Sequence, residues 1–115
     1  MTSLRHVLLL QRNVATAARF YSEGLGLKLE VLTERWAELK AGQTTLALKA
    51  VEGEAFLSVG YSPILSFKVD DLQDTLMKLI ELGGVMDGPI KYPTQGKVAS
   101  LRAPDGHMIA LHEPN

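Results

Sequence analysis

Few side chains in this sequence could carry out chemistry. It contains no cysteine and only three histidines, which excludes thiol nucleophiles, disulfides and thiolate-bound metals. Imidazole and carboxylate groups remain as acid–base groups or metal ligands. We take His6, Glu38 and His112 as candidate catalytic residues. His107 follows a "PDG" turn, where we expect it to be exposed rather than catalytic, and no serine or acid stands in a nucleophile-elbow context.

A second set of residues could recognise a ligand without transforming it. The candidate ligand-binding residues are His6, Trp36, Glu38, Lys49, Ser66, Lys68, Ser100, Arg102 and His112. If their cationic members converge, they favour an anionic or hydroxylated small molecule. The same cations could instead lie at a cavity rim with their charged ends in water. Trp36 could stack on a planar ligand or on Lys49, or simply pack against the sheet.

Composition excludes several classes of function. The chain has 115 residues, of which 46% are hydrophobic and 22% charged, with a net charge of −1; one domain is expected at this length. It has no basic run and few aromatic residues, so we do not expect a nucleic-acid partner. The only N-terminal apolar run, 7–10, is too short to span a membrane. We expect a soluble cytoplasmic protein, although an organellar targeting sequence removed before the first residue would leave the same chain.

The candidate residues must be positioned by elements that occur twice. The stretch "ELKAGQTTLALKA" (38–50) is repeated as "SLRAPDGHMIALHEP" (100–114). The predicted strands cover 5–11, 27–33, 35–41 and 44–50 in the first half, and 64–69, 85–92, 97–103 and 107–112 in the second. Ala47 corresponds to Ala110 at an offset of 63. The first strand and the helix of each half repeat at a smaller offset of 58. The loops before the last strand of the second half therefore contain about five extra residues.

One helix is predicted in each half. Asn13 and, 58 residues later, Asp71 are suitable N-caps. Apolar residues at helical spacing follow each cap, namely Val14, Ala17, Ala18, Tyr21 and Leu25 in the first half and Leu72, Leu76 and Leu79 in the second. The first helix is expected to stop at "GLGL", where Gly24 and Gly26 can take left-handed conformations, and the second is expected to stop at Gly83-Gly84.

This order predicts an α+β fold of two βαβββ modules, related by a pseudo-twofold axis and enclosing a cleft. Module 1 covers about 1–52, a linker about 53–62, and module 2 about 63–115. Side chains alternate between the two faces of a strand. Leu46, Leu48, Ile109 and Leu111 should face the helices, and Ala47, Lys49, Ala110 and His112 the cleft.

The paired layout, together with "RHVLLL", "FYSEGLGL", "VDDL" and "APDGHMIALHEP", resembles the vicinal oxygen chelate superfamily. That group includes glyoxalase I, extradiol dioxygenases, and fosfomycin- and bleomycin-resistance proteins. The resemblance implies a single domain of this fold over essentially the whole chain. In metal-dependent members it also implies a divalent ion held at four positions. These positions are His6, Ala47, Ile64 and Ala110 in this sequence.

Only one of the four positions can bind a metal. A transition-metal site needs at least three protein ligands, and alanine and isoleucine donate nothing, so we expect no metal and no cofactor. A two-residue hairpin at Gly42-Gln43 would place Glu38 opposite Ala47 and Trp36 opposite Lys49. An unorthodox metal site built on His6, with Glu38 and His112, is therefore the alternative, although each added group lies about 7 Å from the position that it would replace.

Two hypotheses of different classes follow. The first is a metal-free binding module that holds a small anionic or aromatic molecule, as the bleomycin-resistance proteins sequester a ligand without chemistry. The second is an enzyme, a glyoxalase I-like lyase or a relative of the dioxygenases, built on His6. We favour the first hypothesis, because too few side chains at the family positions can bind a metal. By resemblance to the family, and because a small chain with an open sheet face has reason to pair, we expect a homodimer. The ligand itself is not identified by the sequence.

Overall fold

Each half of the chain folds as a four-stranded sheet with one helix packed on it. The computed structural model describes residues 1–53 and 60–115, and the chain divides into two compact units, Met1–Leu57 and Ser58–Asn115. The first unit consists of β1 (Val7–Gln11), α1 (Val14–Arg19), β2 (Lys28–Leu32), β3 (Trp36–Ala41) and β4 (Thr44–Ala50). Its strand order is β1-β4-β3-β2. The described part of the predicted linker, 53–62, is limited to 53 and 60–62, because 54–59 lie outside the described residues.

The second unit repeats this order. It consists of β5 (Ile64–Lys68), α2 (Leu72–Glu81), β6 (Val85–Met86), β7 (Gly96–Arg102) and β8 (Met108–Pro114). The strand order β5-β8-β7-β6 matches that of the first sheet position by position. The predicted α+β class and βαβββ organisation are therefore confirmed. In the residues that the structure describes, no helix is long and apolar enough to cross a membrane.

The strand registers reproduce the sequence repeat. Ala47 lies between Leu8 of the parallel strand β1 and Glu38 of the antiparallel strand β3. Ala110 lies in the same way between Ser66 of β5 and Ser100 of β7. The Gly42-Gln43 turn closes the two-residue hairpin on which the predicted pairing of Glu38 with Ala47 and of Trp36 with Lys49 depended.

The two helices begin with the same cap. Asn13 and Asp71 both have extended backbones, with φ −133° in each case. Their side chains accept hydrogen bonds from Thr16 N at 2.9 Å and Asp74 N at 3.0 Å. Each cap satisfies an amide that has no partner within the helix, so the predicted N-caps are confirmed.

Both helices end at the predicted glycines, and the first helix changes type before it ends. It continues beyond Arg19 as a π-helical turn, Phe20–Gly24, which buries Phe20 and Tyr21. Gly24 lies within that turn, and Gly26 takes the left-handed conformation with φ 74°. In the second unit the left-handed residue is Gly83, with φ 102°. The amides of Gly83 and Gly84 bond Ile80 O and Leu79 O, which is a Schellman motif.

Several strands differ from their predicted bounds by one or two residues at an end, and one is much shorter than predicted. The strand expected over 85–92 is reduced to β6 and an isolated bridge from Lys91 to Val98. Gly88, at φ 86°, and the following proline interrupt the pairing, because proline has no amide for the ladder. The last strand begins at Met108 and extends to Pro114, beyond the predicted end at 112.

Candidate functional site

The face of the first sheet opposite its helix carries most of the candidate residues of that unit. Side-chain alternation places Leu46 and Leu48 of β4 on the helix side, and both are buried. Ala47 and Lys49 belong to the opposite face, which we call the open face. Ala47 is also fully buried, whereas Lys49 is exposed.

Trp36, His6 and Glu38 form a cluster on this open face. The His6 ring meets the Trp36 ring edge-on, with centroids 5.7 Å apart and an interplanar angle of 70°. The indole Nε1 of Trp36 donates a hydrogen bond of 2.7 Å to Glu38 Oε2. All three side chains are half-buried. We call these three residues the Trp36 cluster; the indole joins the imidazole to the carboxylate.

Strand geometry explains why the cluster forms. Trp36 and Glu38 are two residues apart in β3 and therefore share a face. The register puts them opposite Lys49 and Ala47 respectively. Sequence alternation predicted the shared face, but it did not predict that the indole would bind the carboxylate.

The residues at the four family positions do not form a metal site. Ala47 and Ala110 lie at the centre of their sheets between the neighbours described above, and Ile64 begins β5 opposite Met108. None of the three side chains has a donor atom. In the described ranges 1–53 and 60–115, no group of three His, Asp or Glu side chains is close enough to hold an ion. The donor set therefore does not fit the divalent ion of metal-dependent relatives.

The second sheet separates its candidate residues along the strands. Ser66 and Ser100 flank Ala110, and Lys68 lies opposite His112. The His112 Nε2 atom is 3.1 Å from Gln95 O. His112 pairs with Val98 of β7, and Arg102 lies four residues further along that strand. This spacing corresponds to roughly 13 Å. Arg102 and His112 therefore share a face but lie at opposite ends of it.

Arg102 lies in a groove of about 430 Å³ in the second unit. Its Nη1 donates hydrogen bonds to Gly106 O at 2.7 Å and to Gly60 O at 3.2 Å. The Tyr61 ring lies beside it, with its centroid 5.3 Å from the guanidinium carbon. Of the lining residues, only Arg102 was among the candidates from the sequence. Tyr61 was missed because it falls in the predicted linker, where no periodicity assigns it a face.

His107 is buried, so its expected exposure is wrong. Only 7% of the residue is accessible, and its Nδ1 lies 3.1 Å from Asp105 Oδ2, although the two are not aligned for a hydrogen bond. The His107 amide donates to Asp105 Oδ1 at 3.0 Å, and Ala103 N bonds His107 O. These bonds fold the turn back on itself and enclose the ring. His107 is therefore part of the β7–β8 turn and lies outside the candidate site.

Comparison with known proteins identifies the family. The chain belongs to the Glyoxalase/Bleomycin resistance protein/Dioxygenase superfamily, whose family model matches residues 3–111. The resemblance inferred from the sequence motifs is confirmed. Comparison with curated proteins found no match.

Solved structures support the same fold. A glyoxalase/bleomycin resistance protein/dioxygenase family enzyme from Burkholderia phytofirmans superposes with a TM-score of 0.82 at 16% identity, covering 99% of this chain and 100% of that one. A fosfomycin resistance protein from Mesorhizobium loti gives 0.76 at 22% identity, covering 100% and 94%. An antibiotic-binding protein from a Streptomyces species gives 0.71 at 23% identity, covering 100% and 98%. At these identities the likeness establishes the fold alone.

Proposed function

We propose that this protein binds a small organic molecule, without a resident metal, on the open face of its first sheet at the Trp36 cluster. The observation that carries the proposal is the anchored indole. The His6 ring contacts the indole edge-on and Glu38 accepts a hydrogen bond from its Nε1, so the aromatic surface is held in place before a ligand arrives. Preorganised aromatic surfaces bind planar ligands at low cost in conformational entropy.

The charges around the cluster favour an anionic aromatic ligand. Lys49 lies opposite Trp36 on the neighbouring strand and is exposed. A ring stacked on the indole would place an attached carboxylate or hydroxyl group within reach of this ammonium group. Glu38 Oε2 already accepts a hydrogen bond from the indole.

The absence of donor atoms at Ala47, Ile64 and Ala110 supports the metal-free part of the proposal, as does the engagement of Glu38. Related proteins of known binding behaviour support a small-molecule ligand. One solved relative is described as an antibiotic-binding protein and another, from Streptomyces verticillus, as a bleomycin-binding protein in complex with copper(II)-bleomycin.

A second candidate function is a lyase or dioxygenase activity of an unorthodox site built on His6, with Glu38. The specific observation in its favour is that His6 and Glu38 both contact one indole ring, which brings an imidazole and a carboxylate into one cluster.

We also propose that the protein is a cytoplasmic homodimer. The exposed apolar residues Leu29 and Leu32 on the edge strand β2 support self-association.

Metal content separates the two functions. Protein purified without added metal is expected to contain only substoichiometric Zn, Ni, Mn or Fe by mass spectrometry, and treatment with a chelator should leave its melting temperature unchanged. Near-stoichiometric metal that is lost together with a lyase or dioxygenase activity would overturn the metal-free proposal.

Ligand binding can be followed by intrinsic fluorescence, because Trp36 is the only tryptophan. A ligand at the cluster should change its emission and raise the melting temperature, since saturation at a hundred times Kd adds roughly 2.7 kcal/mol. By calorimetry, Trp36→Phe should weaken binding by up to about tenfold. Tyr92→Phe, at an aromatic residue that is 68% exposed in the second unit, is the matched control and should have no effect. A ligand that stabilises the protein without altering Trp36 emission would place the site elsewhere.

A further inference from the structure

The second unit contains a groove beside its β7–β8 turn, which is longer than the corresponding turn of the first sheet. In the first unit two residues, Gly42 and Gln43, connect β3 to β4, whereas residues 103–107 connect β7 to β8. Ala103 and Pro104 of the longer turn line the groove. Val85, Met86, Asp87 and Tyr61 also line it. A volume of about 430 Å³ is within the range of small-molecule sites.

Arg102 is held in a fixed orientation within the groove. Its two hydrogen bonds, to Gly106 O and Gly60 O, both originate from Nη1. A guanidinium group has donors on Nε and Nη2 as well, arranged in a plane that matches a carboxylate. Among the described residues no partner occupies those donors, so one edge of the guanidinium remains for a ligand. The main-chain carbonyls have already fixed the side chain, which lowers the entropic cost of binding.

Tyr61 and Asp87 give the groove a second polar end. The Tyr61 hydroxyl donates to Asp87 Oδ1 at 3.4 Å, while its ring faces the Arg102 guanidinium. The ring thus lies between a cation and a carboxylate. A ligand that lies along the ring meets a donor-rich edge at Arg102 and an acceptor at Asp87.

The remaining surface is apolar and accessible. Val85 is 67% exposed and Met86 37% exposed. Gly83 closes the end of the groove against Pro104, since a Cβ at Gly83 would lie 3.2 Å from Pro104 Cγ. Aliphatic and thioether side chains beside an exposed tyrosine ring favour a flat apolar body of the ligand.

We infer that this groove is a binding site for a small aromatic carboxylate that carries a hydrogen-bond donor at its far end, such as an amino-substituted benzoate. The carboxylate pairs with the free edge of Arg102, the ring packs on Met86 beside Tyr61, and the amino group donates to Asp87. An anion without such a donor gains no hydrogen bond to Asp87 and is repelled by its charge. The site uses none of the residues of the Trp36 cluster, so it goes beyond the proposed function and can fail independently of it.

The inference is tested with 4-aminobenzoate, benzoate and benzamide, titrated into isotope-labelled protein and followed by NMR. We expect 4-aminobenzoate to shift the amides of Val85–Asp87 and of residues 103–106 progressively. Benzoate should bind more weakly because it lacks the donor, and uncharged benzamide most weakly. Shifts confined to the Trp36 cluster, equal binding of benzamide and benzoate, or no shift at millimolar ligand would each overturn the inference.

Variants identify the residues responsible. Arg102→Lys should weaken 4-aminobenzoate binding by roughly tenfold, because an ammonium group cannot form the paired hydrogen bonds. Asp87→Asn should narrow the difference between 4-aminobenzoate and benzoate. The Asp87 side chain is exposed and makes one long hydrogen bond, so this variant keeps the inference testable if Arg102→Lys does not fold.

Two controls complete the test. Arg35 also contacts a main-chain carbonyl, Ala50 O at 3.5 Å, but lies in the first unit, so Arg35→Lys should leave binding unchanged. Trp36→Phe should likewise leave 4-aminobenzoate binding at the groove unchanged. Wild-type affinity in Arg102→Lys, or loss of affinity in Trp36→Phe, would contradict the assignment when affinity is measured from the amide shifts of Val85–Asp87.

Discussion

The Trp36–Glu38 hydrogen bond should contribute measurably to stability and to ligand binding. Its length is 2.7 Å, its acceptor is a carboxylate, and both side chains are half-buried. Hydrogen bonds to charged groups contribute about 1.5–3 kcal/mol when they are shielded from water. Partial exposure lowers this value, so we expect an interaction free energy of about 1–2 kcal/mol between the two residues.

A double-mutant cycle measures that quantity. The variants are Trp36→Phe, Glu38→Ala and the double substitution, and the free energy of unfolding is obtained from urea denaturation followed by circular dichroism. The matched control is the Arg19–Glu23 pair, whose atoms are 2.8 Å apart but whose side chains are 67% and 57% exposed. That surface cycle should give only about 0.3–0.5 kcal/mol.

The two cycles also bear on function. If Glu38 holds the indole in place, Glu38→Ala should weaken ligand binding at the Trp36 cluster by roughly fivefold, because the ligand must then order the ring itself. A coupling for Trp36 and Glu38 no larger than that of the surface pair would refute the reasoning. The cluster would then be a chance contact and would no longer support a preformed ligand surface.

Two further predictions concern the turns and caps. Gly96→Ala should destabilise the protein severely, since a Cβ at this φ of 134° would overlap Glu113 O. Gly42→Ala, at φ 63° with open space around it, should lower the free energy of unfolding by only about 1 kcal/mol, measured by thermal or urea denaturation. Equal losses of stability in the two variants would contradict the steric argument. Asp71→Ala should lower the free energy of unfolding by about 1 kcal/mol because the Asp74 amide loses its acceptor, and Asp71→Asn should restore most of it. An unchanged urea midpoint in Asp71→Ala would show that the cap is dispensable.

Much of the fold is encoded locally. The caps at Asn13 and Asp71, the Gly42-Gln43 hairpin and the alternation in "LALK" and "IALH" each depend on a few neighbouring residues. Such patterns set backbone conformation and strand register directly, so the repeat and its pairing followed from the sequence. The same register placed Ala47 and Ala110 at equivalent positions of the two sheets.

The details of both candidate sites depended on the tertiary structure. The Trp36–Glu38 hydrogen bond depends on the rotamers of both side chains. The position of Arg102 depends on two main-chain carbonyls: that of Gly60, which is remote in the sequence, and that of Gly106, which lies across the β7–β8 turn. The burial of His107 likewise resulted from the folding of the turn around it. Periodicity assigns a side chain to a face, but it does not specify which polar group that side chain meets there. That choice is made by packing and by the requirement that buried polar groups find partners.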